Sequence, residues 1–452
     1  MKHPCCVAKM SSGVVFVGAA LAVVLMAPWA EAGPCSAGKL MPAATIACAD
    51  LKAERGVFCR PLREERQQLG PGLAQYKLWV RVGPGEHDVI TLHRVVAEQR
   101  PSQAGIARKA VFMIHGDLWG FEPAFLGLTI YADPPQASLP TFLARNGVDV
   151  WGISYRWAQI PAGFPDQSFM AGWGMDVAVS DARIGLRIAR VVRLLTGQGN
   201  RGLHVLGWSR GVAATMALAN AEATEPRHRR DIAGLIPVEG YFKVANEPFR
   251  ESDCSDVDYC EDLLAAGTPG VDYGFQPIGQ AAIDSPDGDS PYAPGLTNAQ
   301  FAMGLASWPM GWPGMEWYHF AAGVFDESGV PTGLRYTSPA FVFLGFTKAY
   351  GFDPVPYRRD HSAVNCGEVD VPWDDHLARV SVPMFYLGAG GGFSSVGEHL
   401  TQLVGSDDVT TLIVRKLPED QAALDIGHLD IFQAPASRQL FWEPILAWIQ
   451  TH

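Results

Sequence analysis

Short, nearly continuous apolar runs punctuate this chain, and segments of helical spacing lie between them. Residues 109–114 read KAVFMI, 148–155 VDVWGISY, 203–207 LHVLG and 232–238 IAGLIPV. A strand with one wet face alternates, whereas a run that is apolar at nearly every position suits a parallel strand buried on both faces. Residues 176–195 place Val177, Ile184, Ile188 and Val192 on one side of a helix, and an alanine-rich helical segment spans 212–223. Such alternation predicts an α/β fold built on a mostly parallel, doubly wound sheet. Before it, residues 76–82 and 88–96 alternate around Gly83-Pro84-Gly85, which predicts a hairpin. The alternation stops near Tyr241 and resumes near Val380, with strands expected at 382–387 and 409–414 and helices at 396–403 and 437–449. The stretch between is rich in Gly, Pro, Trp and Tyr. It reads as an inserted cap over the carboxyl edge of the sheet, where open α/β sheets hold their ligands.

The run at 203–207 ends in Gly207-Trp208-Ser209-Arg210-Gly211, and the alanine-rich helix follows at once. The pentapeptide is a weak signal by itself. Between a buried strand and a helix it gains meaning, because its glycines permit a strained turn that pushes the Ser209 hydroxyl out of the sheet as a nucleophile. The Arg210 N–H at the helix start points at the same spot. A second N–H from the loop His115-Gly116-Asp117-Leu118, that of Asp117, would complete a site for an oxyanion. A serine nucleophile needs a base, and His428 lies in a Gly427-His428 loop close to the end of the chain.

These residues resemble the α/β-hydrolase fold superfamily over nearly all of 76–240 and 378–450. The resemblance rests on VFMIHG at 111–116, GWSRG at 207–211 and GHLDIF at 427–432, and is greatest to the lipase and esterase branches. It implies Ser209 as nucleophile and His428 as general base. The sequence departs from the commonest pattern at the acid: where an aspartate usually follows the strand at 383–387, residues 388–392 are only Ala and Gly. Some branches carry the acid one strand earlier, where Glu239 ends the run IAGLIPVEG. A lone carboxylate ending a buried strand is unusual unless it is paired. Glu239 is therefore the expected acid, with Glu398 and Asp425 as rivals, and Asp430 is expected to brace the histidine loop.

The chain has 452 residues, 48% of them hydrophobic, and a formal net charge of −12. That composition fits a globular protein with a large core and disfavours nucleic acid as a partner, which requires a basic face. Lys2 and Lys9 precede an apolar run at 14–26, and Ala30-Glu31-Ala32 offers a cleavage site, so residues 1–32 read as a signal peptide and the chain as secreted or periplasmic. No later run is long enough to span a membrane. Domain boundaries are then 1–32 for the signal peptide, 33–75 for an irregular cysteine-stapled arm, 76–240 and 378–452 for the core, and 241–377 for the cap. Six cysteines remain beyond the leader, and an even number in an exported protein suggests disulfides. Cys254 with Cys260 is the local guess; Cys35, Cys48 and Cys59 pair among themselves and leave one for Cys366.

Within the cap, SWPMGWPGMEWYHF at 307–320 offers either a local core or a pocket lined by aromatic residues and methionines. Trp308, Trp312 and Trp317, with Trp208 of the elbow, are the expected substrate-binding residues. The acidic clusters Asp253/Asp256/Asp258 with Glu261/Asp262, and Asp284/Asp287/Asp289, lack EF-hand spacing and read as solvated loops. His87, His93, His204, His319, His361 and His376 show no metal-ligand spacing and take no role. Neither a metal nor a cofactor is expected. The resemblance thus implies a serine hydrolase that cleaves small or polymeric apolar carboxylic esters through an acyl-enzyme. An amide, peptide or polyester hydrolase with the same triad, or a hydrolase-like binding protein without catalysis, is the alternative. The sequence assigns no oligomeric state.

Overall fold

A computed structural model describes residues 40–452; the expected signal peptide and Cys35 lie outside the described residues. The chain opens with helix α1 (Leu40–Arg55) and strands β1 (Arg60–Gly70), β2 (Leu73–Arg81) and β3 (Val89–Arg100). Strand β4 (Lys109–Ile114), helix α2 (Leu139–Arg145), strand β5 (Val148–Ser154), helix α3 (Met175–Leu195), strand β6 (Leu203–Trp208), helix α4 (Gly211–Ala223) and strand β7 (Ile232–Val238) follow. After a long insertion come β8 (Met384–Ala389) and β9 (Val409–Val414), and a carboxyl-terminal helix, Glu443–Thr451, closes the chain.

These strands form one sheet in the order β1-β2-β3-β5-β4-β6-β7-β8-β9. The first three pair antiparallel, β3 pairs antiparallel with β5, and the remaining neighbours run parallel. Strands β5, β6 and β8 are buried at every residue. Their alternate side chains feed two separate cores. Phe112 and Ile114 of β4 pack with Ile184 and Ile188 of α3 and Met216 of α4. Val111 and Met113 of the same strand pack on the other face with Leu139 of α2 and Ile445 of the last helix. Two cores on one sheet are why the strand sequences carry no alternation. The fold class expected from the sequence is the one observed.

The expected irregular arm is corrected. Residues 40–55 form a helix that buries Leu40, Ala43, Ala44, Ala47, Cys48 and Leu51 at helical spacing, with Pro42 in the first turn, where it is tolerated. Residues 60–70 form an edge strand that is exposed or half-buried throughout. Its sequence, RPLREERQQLG, lacks an apolar face because an edge strand needs none, and charge there discourages pairing with another chain. Glu64 of that strand accepts the N–H groups of Leu40 and Met41 at 2.9 and 3.1 Å and so fixes the start of α1. The helix expected at 396–403 is split, with an α-helical turn at Ser394–Glu398 and a tighter turn at His399–Gln402.

Strands β7 and β8 are parallel neighbours, so everything between Val238 and Met384 is inserted at one edge of the sheet. It contains helices α5 (Glu247–Ala265), α6 (Phe275–Asp284), α7 (Asn298–Ser307), α8 (Pro339–Thr347) and α9 (Val355–Cys366). Among the described residues no helix is long and apolar enough to cross a membrane. The guess of a Cys254–Cys260 bond is also corrected: Cys254 bonds Cys366, joining α5 to α9, while Cys48 bonds Cys59 and Cys260 is buried and free. Six residues along one helix separate two cysteines by about 9 Å and turn them away from each other, beyond the reach of a disulfide.

Cys254–Cys366 spans a sequence separation of 112, so a Cys254→Ser/Cys366→Ser variant should lose about 2–4 kcal/mol of stability in denaturant unfolding. A non-reduced digest should yield Cys254 joined to Cys366; a peptide joining Cys254 to Cys260 would contradict the pairing.

Candidate active site

Strand β6 runs into Ser209, whose backbone takes a left-handed conformation (φ 57°), and α4 begins two residues later. A side chain other than hydrogen at Gly207 would place its Cβ 2.4 Å from the Gly211 carbonyl oxygen, so the turn closes only around glycine. The Ser209 N–H is held by the carbonyls of Val238 and Glu239 at 3.1 and 3.0 Å. Glu239, the residue after β7, is left-handed as well (φ 46°). Two neighbouring parallel strands thus end in strained residues that brace each other, the kind of outlier that clusters at functional sites.

The Glu239 carboxylate is fully buried. One oxygen accepts the Ala389 N–H at 2.6 Å, and the other accepts the Phe393 N–H at 3.1 Å and meets Nδ1 of His428 at 3.1 Å. Its volume is cut out of the glycine run that follows β8: a Cβ on Gly392 would lie 1.8 Å from Glu239 Oε2. The run without a carboxylate is therefore the cradle for one that arrives from the next strand. The rivals are elsewhere. Asp425 accepts the N–H groups of Lys416 and Ile426 at 2.9 and 2.7 Å, and His428 pairs with Glu239 rather than with Glu398. Asp430 accepts the N–H groups of Gly427 and Ala322 and the Thr337 hydroxyl at 2.8, 3.0 and 2.6 Å, which braces the His428 loop.

His428 stacks on the Trp208 indole, with ring centroids 4.9 Å apart, and packs near Tyr318 and Phe393. Its N–H donates to the His319 carbonyl at 3.2 Å, and the Leu429 N–H to that of Phe320 at 2.6 Å. His319 had no role by sequence. Its ring sits between the carbonyls of Trp317 and Asp425, at 2.9 Å from each, and pins the insertion to the histidine loop. No hydrogen bond joins the Ser209 hydroxyl to His428 here, although both line one cavity. In unliganded hydrolytic sites that contact is often long and tightens with substrate.

The N–H groups of Asp117 and Arg210 have no acceptor among the described residues. Their side chains are clamped together. The Arg210 guanidinium meets Asp117 at 2.9 Å and Asp353 of the insertion at 2.7 Å. Burial works against the Arg210 charge, but Asp117 and Asp353 outweigh it and keep the group firmly protonated. Burial also raises the Asp117 carboxyl above the ordinary carboxylate range, with Arg210 pulling the other way. Tyr350 of the insertion donates its N–H to the Leu118 carbonyl at 2.7 Å, so the loop after β4 is anchored from above.

The cavity holds about 560 Å³. Trp208 and Trp312 line it; Trp308 and Trp317 do not. Trp308 donates to the Gly329 carbonyl at 3.3 Å, and Trp317 donates to the Gly392 carbonyl at 3.1 Å, which steadies the cradle from behind. Helices α6, α7 and α8 contribute Phe275, Leu305 and Phe346 to the wall. Helices α5 and α9 contribute Asp253, Asp256, Arg358, His361 and Ser362. The acidic cluster expected to be a solvated loop is thus corrected in part: Asp253 and Asp256 lie on a helix, and Asp253 is buried.

Neither a protein-family model nor a curated protein matches this sequence. Solved structures do. A candidate lipase from Sulfolobus solfataricus superposes with a TM-score of 0.59 at 19% identity, over 87% of this chain and 99% of that one. A monoglyceride lipase variant from Saccharomyces cerevisiae matches at 0.43 and 14%, over 80% and 92%, and a thermophilic esterase from Thermogutta terrifontis at 0.40 and 11%, over 83% and 98%. With this strand order and the first of these likenesses, the chain has the α/β-hydrolase fold.

Gly392→Ala should expel Glu239 from its cradle and cost roughly 3 kcal/mol or more, since a buried carboxylate then loses its partners. Gly333→Ala, where an added Cβ meets nothing within 4 Å, is the matched control. Equal melting temperatures for the two variants would refute the cradle.

Proposed function

We propose that this protein is an exported serine hydrolase that cleaves carboxylic esters with apolar acyl or aryl groups. One observation carries the reading: a buried Glu239–His428 pair at 3.1 Å whose histidine lines the cavity that Ser209 enters from a strained elbow. With Nδ1 turned to Glu239, Nε2 is the nitrogen left to take the Ser209 proton. Ser209 Oγ attacks the carbonyl carbon, and the N–H groups of Asp117 and Arg210 hold the oxyanion. As the tetrahedral intermediate collapses, the alcohol leaves with the proton from His428. Water then attacks the acyl-enzyme with His428 again as base, and Ser209 is released with its proton restored. Glu239 keeps the imidazole in the productive tautomer and stabilises it when charged.

Residues 241–377 act as the cap in this reading, and Trp208 and Trp312 with the α6–α8 wall hold the apolar part of the substrate. Export is supported by the two disulfides and by the leader-like sequence at 1–32.

A fluorophosphonate probe should label the protein, and Ser209→Ala should abolish both labelling and turnover of p-nitrophenyl esters. Glu239→Gln should lower kcat by roughly 10³–10⁴-fold with folding intact by circular dichroism. An unlabelled wild-type protein, or a Glu239→Gln enzyme of normal kcat, would refute the assignment. A rise in kcat/KM with acyl chain length on the same esters would locate the apolar wall.

A further inference from the structure

The wall made by α5 and α9 is not built like the rest of the cavity. Asp256 is paired: it accepts from Arg358 Nε at 3.0 Å and from the Ser362 hydroxyl at 2.8 Å. Two of its neighbours on the wall are not. Asp253 is 6% exposed and His361 4%, yet Asp253 Oδ2 and His361 Nε2 have no hydrogen-bond partner among the described residues. Tyr241 links them. Its hydroxyl reaches the other Asp253 oxygen at 3.5 Å, and its ring packs on His361 with centroids 4.7 Å apart. A buried polar atom without a partner costs about 1–3 kcal/mol. Two such atoms on the wall of one cavity, beside one tyrosine, mark a place where a ligand supplies the missing bonds.

The charges on this wall decide which ligand. Asp117 and Asp353 share Arg210, and Asp256 has Arg358. Asp253 faces no cation of its own, and burial, with Asp256 beside it, raises its pKa well above the usual carboxylate range, which favours the protonated form that can donate. Burial pushes the His361 pKa down to about 3, so the ring is neutral. A neutral donor–acceptor pair suits a hydroxyl, which accepts from one group and donates to the other. An ammonium group only donates, so it could serve His361 but would leave the Asp253 O–H without an acceptor.

We propose that Asp253 and His361 form a subsite for a hydroxyl on the polar, alcohol-derived part of the substrate, so that the substrate is an ester of a hydroxylated alcohol rather than of a simple alkanol. This rests on the hydrolase reading for the word ester, but the subsite itself is tested without any reaction. The probes are 3-hexyloxypropane-1,2-diol, hexyl propyl ether and the hexyl ether of choline, none of which can be hydrolysed. Binding is read by calorimetry or by quenching of tryptophan fluorescence.

The wild-type protein should bind the diol more tightly than the dialkyl ether by on the order of tenfold, the worth of two ordinary hydrogen bonds. Asp253→Ala and His361→Leu should each erase most of that difference. Asp253→Asn and His361→Gln, which keep polar atoms in place, should retain part of it and report on the subsite where the first pair folds poorly. Equal affinity for diol and dialkyl ether, or a preference that survives in Asp253→Ala, would overturn the proposal. Tighter binding of the choline ether than of the diol would overturn it too, in favour of a cationic ligand. If the diol preference holds while no ester is cleaved and no fluorophosphonate is captured, the hydrolase reading fails and the subsite stands.

Discussion

A carboxylate buried to zero exposure is the element on which the rest of the site depends. A carboxylate in an apolar interior costs several kcal/mol unless its oxygens are satisfied. Two backbone N–H groups and one imidazole meet that need. The N–H groups come from Ala389 and Phe393, so the chain after β8 must curl round the carboxylate, and Gly392 must lack a side chain for it to do so. The imidazole comes from a loop nearly two hundred positions later, so the last part of the chain must also be in place. One buried charge thereby fixes the ends of β7 and β8 and the approach of His428.

The insertion is built into this arrangement rather than laid over it. His319 and Phe320 supply the carbonyls that hold the His428 loop, Trp317 steadies Gly392, and Asp353 and Tyr350 hold Arg210 and the loop after β4. Residues 241–377 therefore touch the cradle of Glu239, the His428 loop, Arg210 and the loop that carries Asp117. Swapping the insertion for another of equal length would remove supports from the proposed triad as well as walls of the cavity. In the proposed mechanism, specificity and catalytic geometry would be coupled through these contacts, and the two that hold the His428 loop are backbone carbonyls, which a substitution of their side chains leaves intact.

Much of the fold was legible because burial on both faces of a parallel sheet leaves an unbroken apolar run, as at 148–154 and 203–208. The elbow was legible because strand, glycine, serine and helix fall in order. Glu239 was the acid that the resemblance pointed to, because the usual position held only Ala and Gly, and its carboxylate does meet His428. What those residues were for was not legible, since a cradle is defined by what fills it from another strand. The polar edge strand at 60–70 escaped notice because an edge strand has no buried face to impose a pattern. The Cys254–Cys366 bond depends on the packing of α5 on α9, which nothing local encodes. Three tryptophans in the 307–320 segment looked alike, and only the turn of the chain decides that Trp312 reaches the cavity while Trp308 and Trp317 do not.

The two kinds of wall in the cavity follow from how the insertion packs. Helices α6, α7 and α8 bury Ile278, Ala302 and Phe346 in the same apolar core as Trp119 and Trp208, so their cavity face extends that core. Helices α5 and α9 are joined by a disulfide and carry an ion pair, Asp256–Arg358. Their mutual anchoring is covalent and electrostatic, so they need less apolar surface to stay docked, and polar atoms can face inward without unfastening the pair. The Cys254–Cys366 bond thus makes a polar wall structurally tolerable beside an apolar one.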